Sequence, residues 1–229
     1  QPHASRPLPS SPPPIAVLVQ ADDMATAAAA VRAVGGEITH ELGIIRGVGA
    51  TVTEEQAAAL RASPAIRVFA DQLLTTSAGN APPSYAATLT RATQLHDEGI
   101  TGEGVTVAVL DTGYRSSVNM NKYKQRMRVR AQYDAIRNLS LTPPVTDDES
   151  GHGTHVSSLI IAPMKDTSRN YLGIAPGVDF VSVKAFDGNG AGTYASVIRG
   201  IGWIVAHKAT YNIRVLNCSF SASPRSHYW

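Results

Sequence analysis

Two short stretches of this 229-residue chain carry side chains suited to moving protons. In "VTVAVLDTG", Asp111 closes a near-continuous apolar run and is followed by Thr112 and Gly113. A carboxylate at the carboxyl end of a parallel strand stands where open α/β sheets place their sites. The same residue is also a natural start for an Asx turn ahead of Gly113. In "GHGTHV", His152 sits between Gly151 and Gly153, at the start of a helix expected to run through Val156, Leu159 and Ile160. The positive end of that helix disfavours an imidazolium and keeps a neutral ring ready to accept a proton. The flanking glycines allow a sharp turn and the close approach of another group. His155 follows three residues later, the wrong spacing for an i, i+4 zinc pair, and no Glu stands beside it. It is expected as a buried, hydrogen-bonded histidine, with no metal.

Strands and helices must bring these two stretches together. The run at 105–110 reads as a strand covered on both faces, as in a parallel sheet. Further strands are expected at 178–186 and 214–220. Between them Val197, Ile198, Ile201, Ile204 and Val205 recur at helical spacing within 194–208. Strands alternating with helices imply an α/β layer with a parallel sheet over residues 85–229.

Residues 15–76 follow a different order. A strand from Ile15 leads to an alanine-rich helix, capped by Asp22 or Asp23 and stopped at Gly35-Gly36. Strands at 37–42 and 44–52 follow, then a helix opened by Thr53 with Gln56 at capping-box spacing. A last strand is expected from 66–69 together with 72–74. This β-α-β-β-α-β order describes a ferredoxin-like α+β unit. Residues 77–84 are small, polar and proline-bearing, a linker suited to processing. Residues 1–14 hold Pro2, Pro7, Pro9, Pro12, Pro13 and Pro14 and nothing to bury, so they are expected to be disordered.

The apolar share is 43% and the charged share 17%, as in globular domains with a core. Twenty basic side chains against eighteen acidic ones leave a net charge of +2, too even a balance for a nucleic-acid partner. The basic stretch 122–130 alternates like a strand with one wet face, so its charges are expected in solvent. Asp147, Asp148 and Glu149 are likewise expected as a solvated acidic loop. Cys218 is the only cysteine, which excludes an internal disulfide, and its strand position suits a small core side chain. No apolar run approaches the ~18 residues of a membrane span, so no membrane partner is expected.

Together, "VAVLDTG" and "GHGTHV" resemble the aspartate and histidine signatures of subtilisin-like serine proteases, in that family's chain order and at a compatible separation. Other segments agree. "LGIAPG" at 172–177 resembles the family's turn before a sheet strand, and "GNGAGTY" at 188–194 its substrate-binding segment. "VLNCSFS" at 215–221 resembles the strand beside its specificity pocket, and residues 15–76 are similar to its inhibitory propeptide. By this resemblance His152 would be the general base and Asp111 would hold its tautomer. Gly190, Ala191 and Gly192 would lend backbone groups to an extended polypeptide substrate. Ser219, Phe220 and Ser221 would form the facing edge, and Tyr194 would line a side-chain pocket. The propeptide would act in cis on its own catalytic domain, with residues 72–76 in the cleft like a product strand. The resemblance further implies a secreted enzyme. Some members bind calcium where residues 163–171 stand. Asp166 and Asn170 supply oxygens there without a clean match, which leaves calcium open and implies no other cofactor.

One part of the pattern is missing from the 229 residues. The family's nucleophile lies in a Gly-Thr-Ser-x-Ala setting, whereas Gly153-Thr154 and Gly192-Thr193 continue with His155 and Tyr194. Asn217 matches the family's structural asparagine of the pocket strand, not its oxyanion donor. The chain is therefore expected to be the amino-terminal part of a longer serine endopeptidase precursor, inactive alone. An inhibitor or folding-chaperone module and a natural pseudoprotease are the alternatives.

Overall fold

The computed structural model of the chain describes residues 13–77 and 86–221, which belong to two compact units, Gln1–Asp71 and Gln72–Trp229. Most of the leader expected at 1–14, and the linker beyond Ser77, lie outside the described residues.

The first unit runs β1 (Ile15–Gln20), α1 (Met24–Ala33), β2 (Glu37–Leu42), β3 (Gly47–Val52), α2 (Glu54–Arg61) and β4 (Arg67–Ala70). Every pairing is antiparallel, and the strands lie in the order β2-β3-β1-β4. Local chemistry sets both helix starts. Asp23 accepts from the Thr26 N–H ahead of α1, and Thr53 and Gln56 cap each other's backbone N–H groups ahead of α2. Alternate sheet residues Val17, Val19, Val48, Ala50 and Val52 share one core with Ala27, Val31, Ala57 and Leu60 from the helices.

The strand expected to close this unit divides in two. Arg67–Ala70 pairs with β1, whereas Leu73–Thr76, here β5, belongs to the second unit. Leu74 explains the split, because it is buried in the second unit's core. Burying such a side chain is worth about 1.5–3 kcal/mol.

The second unit begins with α3 (Ala86–Leu89) and α4 (Ala92–Asp97), then β6 (Thr106–Asp111), α5 (Val118–Asn121), β7 (Lys122–Tyr123) and β8 (Arg126–Met127). It continues with β9 (Val129–Asp134), β10 (Leu139–Leu141), α6 (His152–Ile161), β11 (Asp179–Lys184), β12 (Ala191–Thr193), α7 (Tyr194–His207), β13 (Ile213–Cys218) and β14 (Phe220–Ser221). A five-stranded sheet in the order β10-β9-β11-β6-β13 is parallel except for β10. This is a mixed α/β fold with helices on both faces.

Every residue of β6 is buried, and its two faces feed two cores. Ala108 and Leu110 pack with Val181, Val183, Val197 and Ile204 on the α7 side. Val107 and Val109 pack with Tyr114, Ile161 and Phe180 on the α6 side. Gly200 lets α7 come close, since a Cβ there would stand 2.9 Å from Leu110 Cδ1.

Two expectations for this unit are corrected. The basic stretch 122–130 is not one wet strand. Lys124 and Gln125 turn it into a β7–β8 hairpin with φ of 46° and 64°, and Arg128 is fully buried. Its guanidinium donates to the carbonyls of Met120 (2.7 Å), Pro176 (2.6 Å) and Ile161. Burial pushes it down to about 10, so it remains charged at neutral pH. Alternation shows which way a side chain points but not whether acceptors await it. Cys218 is exposed, not core, because β13 is an edge strand among the described residues. Val215 and Leu216 on the same strand are 51% and 36% exposed. Among the described residues no helix is long and apolar enough to cross a membrane.

Candidate active site

Asp111 is the last residue of β6 and His152 the first of α6. Gly151 precedes the helix with φ of 89°, a conformation glycine adopts without strain. Gly153 has no room for a side chain, because a Cβ would lie 2.4 Å from the Gly113 carbonyl oxygen and 3.2 Å from Asp111 Cβ. The two glycines thus let the helix start touch the strand end. His152 Nδ1 lies 2.7 Å from Asp111 Oδ1. An ionised carboxylate only accepts, so Nδ1 carries the proton and donates it.

Asp111 is 1% exposed and His152 13% exposed. Asp111 Oδ1 also accepts from the Thr112 N–H at 2.7 Å, while Oδ2 is buried with no protein partner among the described residues. Burial pushes the Asp111 carboxyl above the ordinary 3.8, against the opposing pull of the His152 and Thr112 hydrogen bonds. On acidification its charge is therefore lost earlier than that of an ordinary aspartate, and the bond to His152 weakens with it.

A three-stranded sheet in the order β12-β5-β14 lies beside this pair. Both of its pairings are antiparallel, so the chain's own Leu73–Thr76 is held on two edges. The Thr76 N–H donates to the Gly190 carbonyl at 2.9 Å, the Ser77 N–H to Ser219 at 3.3 Å, and the Tyr194 N–H to Gln72 at 3.3 Å. Ala191 and Gly192 pair with Thr75 and Leu74, and Phe220 and Ser221 with Thr76 and Thr75. All seven residues expected around a substrate strand are thereby gathered along one strand. Gly190, with φ of 75°, would place a Cβ 2.5 Å from Thr76 Oγ1.

Side chains of β5 alternate. Leu73 is 73% exposed, and Leu74 is 2% exposed in a cluster with Phe186, against which Tyr194 and Phe220 pack. Beyond β5, the Ser77 carbonyl oxygen lies 3.2 Å from His152 Nε2. With the proton on Nδ1, Nε2 and the Ser77 carbonyl oxygen are both acceptors, so they share a hydrogen bond only when the ring is doubly protonated; the strand places its carbonyl within reach of Nε2.

Other residues singled out from the sequence stand elsewhere. His155 is exposed, not buried, because it lies on the outward side of α6. At 163–171, Asp166 accepts from the Asn170 N–H at 2.8 Å and from Asn170 Nδ2 at 3.5 Å. Lys165 Nζ lies 4.3 Å over the Tyr171 ring. A carboxylate already engaged within its own loop and a neighbouring ammonium do not suit calcium.

The acidic stretch is the larger correction. Asp148 is 2% exposed and Asp147 half-buried, while Glu149 is exposed and accepts a 2.6 Å hydrogen bond from the buried Lys184 ammonium. Burial pushes the Asp147 carboxyl up. The available signal was spacing: an aspartate three residues ahead of Gly151 is placed to accept from a turn that opens a helix.

The sequence pattern of the Subtilase family matches residues 102–228. The thermostable alkaline protease of Halalkalibacterium halodurans is 30% identical over 190 residues, covering 83% of this chain and 47% of the relative. The alkaline protease of Shouchella clausii is 33% identical over 171 residues, 73% of this chain and 40% of the relative. Subtilisin E of Bacillus subtilis is 30% identical over 185 residues, 81% of this chain and 44% of the relative. The chain thus spans less than half the length of these relatives. The crystal structure of fervidolysin from Fervidobacterium pennivorans, a keratinolytic enzyme related to subtilisin, shares the fold. Its TM-score is 0.68 at 24% identity, over 97% of this chain and 38% of that one.

Proposed function

Because the chain belongs to the subtilase family, we propose that residues 85–229 are the amino-terminal part of a serine endopeptidase domain, with Asp111 and His152 as two members of its catalytic triad. One observation carries this reading: the His152 ring has Asp111 Oδ1 2.7 Å from Nδ1 and the Ser77 carbonyl 3.2 Å from Nε2, at the end of a strand held on both edges.

The chemistry follows from those positions. A serine hydroxyl from outside these 229 residues attacks the substrate carbonyl carbon while His152 Nε2 takes its proton. Asp111 stabilises the imidazolium so formed. The ring returns the proton to the leaving amine, and water repeats the cycle on the acyl-enzyme to release a carboxylic acid. Without the serine, turnover falls by a factor on the order of 10⁶, so residues 1–229 alone do not hydrolyse peptides.

The occupied cleft extends the reading. Residues 15–71 form a ferredoxin-like propeptide, a reading supported by the β2-β3-β1-β4 order of its antiparallel sheet. Residues 72–77 are its tail, bound in cis as a product-like strand. Ser77 occupies the acyl position, so maturation cuts between Ser77 and Ala78, and secretion belongs to the same reading. Leu74, buried three residues upstream of Ser77, marks the side chain that polypeptide substrates bury, an apolar one.

The test uses the protein expressed through its natural stop codon. A fluorophosphonate probe is expected to label one serine beyond Trp229, and His152→Ala is expected to abolish labelling. The matured protein should begin at Ala78 on amino-terminal sequencing. Labelling that survives His152→Ala removes the histidine from its role.

A further inference from the structure

The hydrogen bonds behind the Asp111–His152 pair converge on a single carboxylate that takes no part in the proposed chemistry. We propose that Asp148 is a positioning residue that clamps the strand-end motif and the helix-start motif to each other, and so sets the reach between Asp111 and His152. This rests on the reading of those two residues as a catalytic pair.

Asp148 is 2% exposed, and both of its oxygens are fully used. Oδ1 accepts from Thr112 Oγ1 at 2.8 Å and from the Gly151 N–H at 2.7 Å. Oδ2 accepts from the Thr154 N–H at 2.9 Å and from Thr154 Oγ1 at 2.5 Å. Thr112 immediately follows Asp111, and Gly151 and Thr154 flank His152, so one carboxylate grips both motifs. Each hydroxyl passes the grip across. Thr112 Oγ1 accepts from the Gly153 N–H at 2.8 Å, and Thr154 Oγ1 accepts from the Arg115 N–H at 2.8 Å. Arg115 in turn holds the segment's backbone, donating from Nε to the Asp148 carbonyl at 2.8 Å and from Nη2 to Glu149 at 3.0 Å.

Charge makes the clamp strong. Burial alone would raise the Asp148 carboxyl, but the donors of Thr154, Gly151 and Thr112 reverse this and hold it below the ordinary 3.8. It therefore remains an anion with only acceptor sites, and hydrogen bonds to an anion are about twice as strong as neutral ones. Among the described residues, no other side chain from outside the two motifs is hydrogen-bonded to both at once. A neutral replacement leaves Thr112 and Thr154 free to turn, and the strand end and helix start lose their common anchor.

The readout is the His152 Nδ1 proton, observed by NMR in the ¹⁵N-histidine-labelled chain and assigned by its loss in His152→Ala. In Asp148→Ala its exchange with solvent is expected to quicken about tenfold or more, as befits the loss of charge-assisted bonds. Amide protection at Val109 and Val183 should stay within about twofold, because the β6–β11 ladder does not involve Asp148. Thr112→Val should act like Asp148→Ala, and Thr112→Ser, which restores the hydroxyl, should behave as the native chain. Unchanged Nδ1 exchange in Asp148→Ala overturns the proposal. So does equal behaviour of Thr112→Val and Thr112→Ser. If Asp148→Ala also loses protection at Val109 and Val183, Thr112→Val decides alone, and the same broad loss there assigns Asp148 a purely structural role. A native chain with no Nδ1 proton bonded to Asp111 instead removes the catalytic pair itself.

Discussion

Asp111→Asn is expected to lower turnover about 10⁴-fold, and His152→Ala about 10⁶-fold, in the protein expressed through its natural stop codon. The substrate to use is a Leu-Thr-Thr-Ser peptide carrying a fluorogenic amide, which copies the chain's own residues 74–77. Asparagine keeps the shape of Asp111 but can present its amide to Nδ1, which favours the tautomer with the proton on Nε2. That ring cannot take a proton from serine. Alanine at 152 removes the base altogether.

KM should move little in either variant, within about threefold, because the substrate backbone is proposed to take the place of Leu73–Thr76 between β12 and β14, and neither side chain lies on those edges. A loss of less than tenfold in Asp111→Asn contradicts the role given to the carboxylate. A large rise in KM with turnover unchanged assigns the pair to binding instead.

Arg128→Met is expected to destabilise the second unit by about 3–5 kcal/mol, measured as a fall in urea midpoint at constant slope, followed by near-ultraviolet circular dichroism. Methionine fills much of the volume but leaves the carbonyls of Met120, Pro176 and Ile161 without their shared donor. Each unpaired buried acceptor costs about 1–3 kcal/mol, and partial relaxation keeps the total below the sum. Arg128→Lys should lose less, since an ammonium can serve one or two of the three. The control is Arg130→Met. Its side chain is 49% exposed and lies 3.9 Å from Asp179, so its loss should cost under about 1 kcal/mol. Equal losses at 128 and 130 contradict the internal role of the guanidinium.

Much of this protein follows from short-range chemistry that its sequence states directly. Asp23 and the Thr53–Gln56 pair start their helices because the capping groups lie within three residues of the N–H groups they satisfy. The run "VAVL" ahead of Asp111 had to be covered on both faces, since successive apolar side chains of a strand point to opposite sides of the sheet. The glycines around His152 allowed a close approach at that point. Asp111 and His152 were accordingly legible as candidates from residue type, local pattern and family resemblance.

Only the tertiary structure decided which groups meet. The 2.7 Å contact of Asp111 with His152 depends on Gly153 packing against Gly113, a neighbour from another segment. By local pattern residues 72–74 continued the first unit, while the family resemblance put 72–76 in a cleft; the burial of Leu74 in the second unit's core decides between the two. His155 and Cys218 were misplaced in the other direction, as interior residues that the fold left exposed. Arg128 and Asp148 looked like solvated charges until the fold surrounded one with carbonyl oxygens and the other with N–H and hydroxyl donors. A charge can be buried only where distant segments replace its water, and no window of local sequence contains those segments.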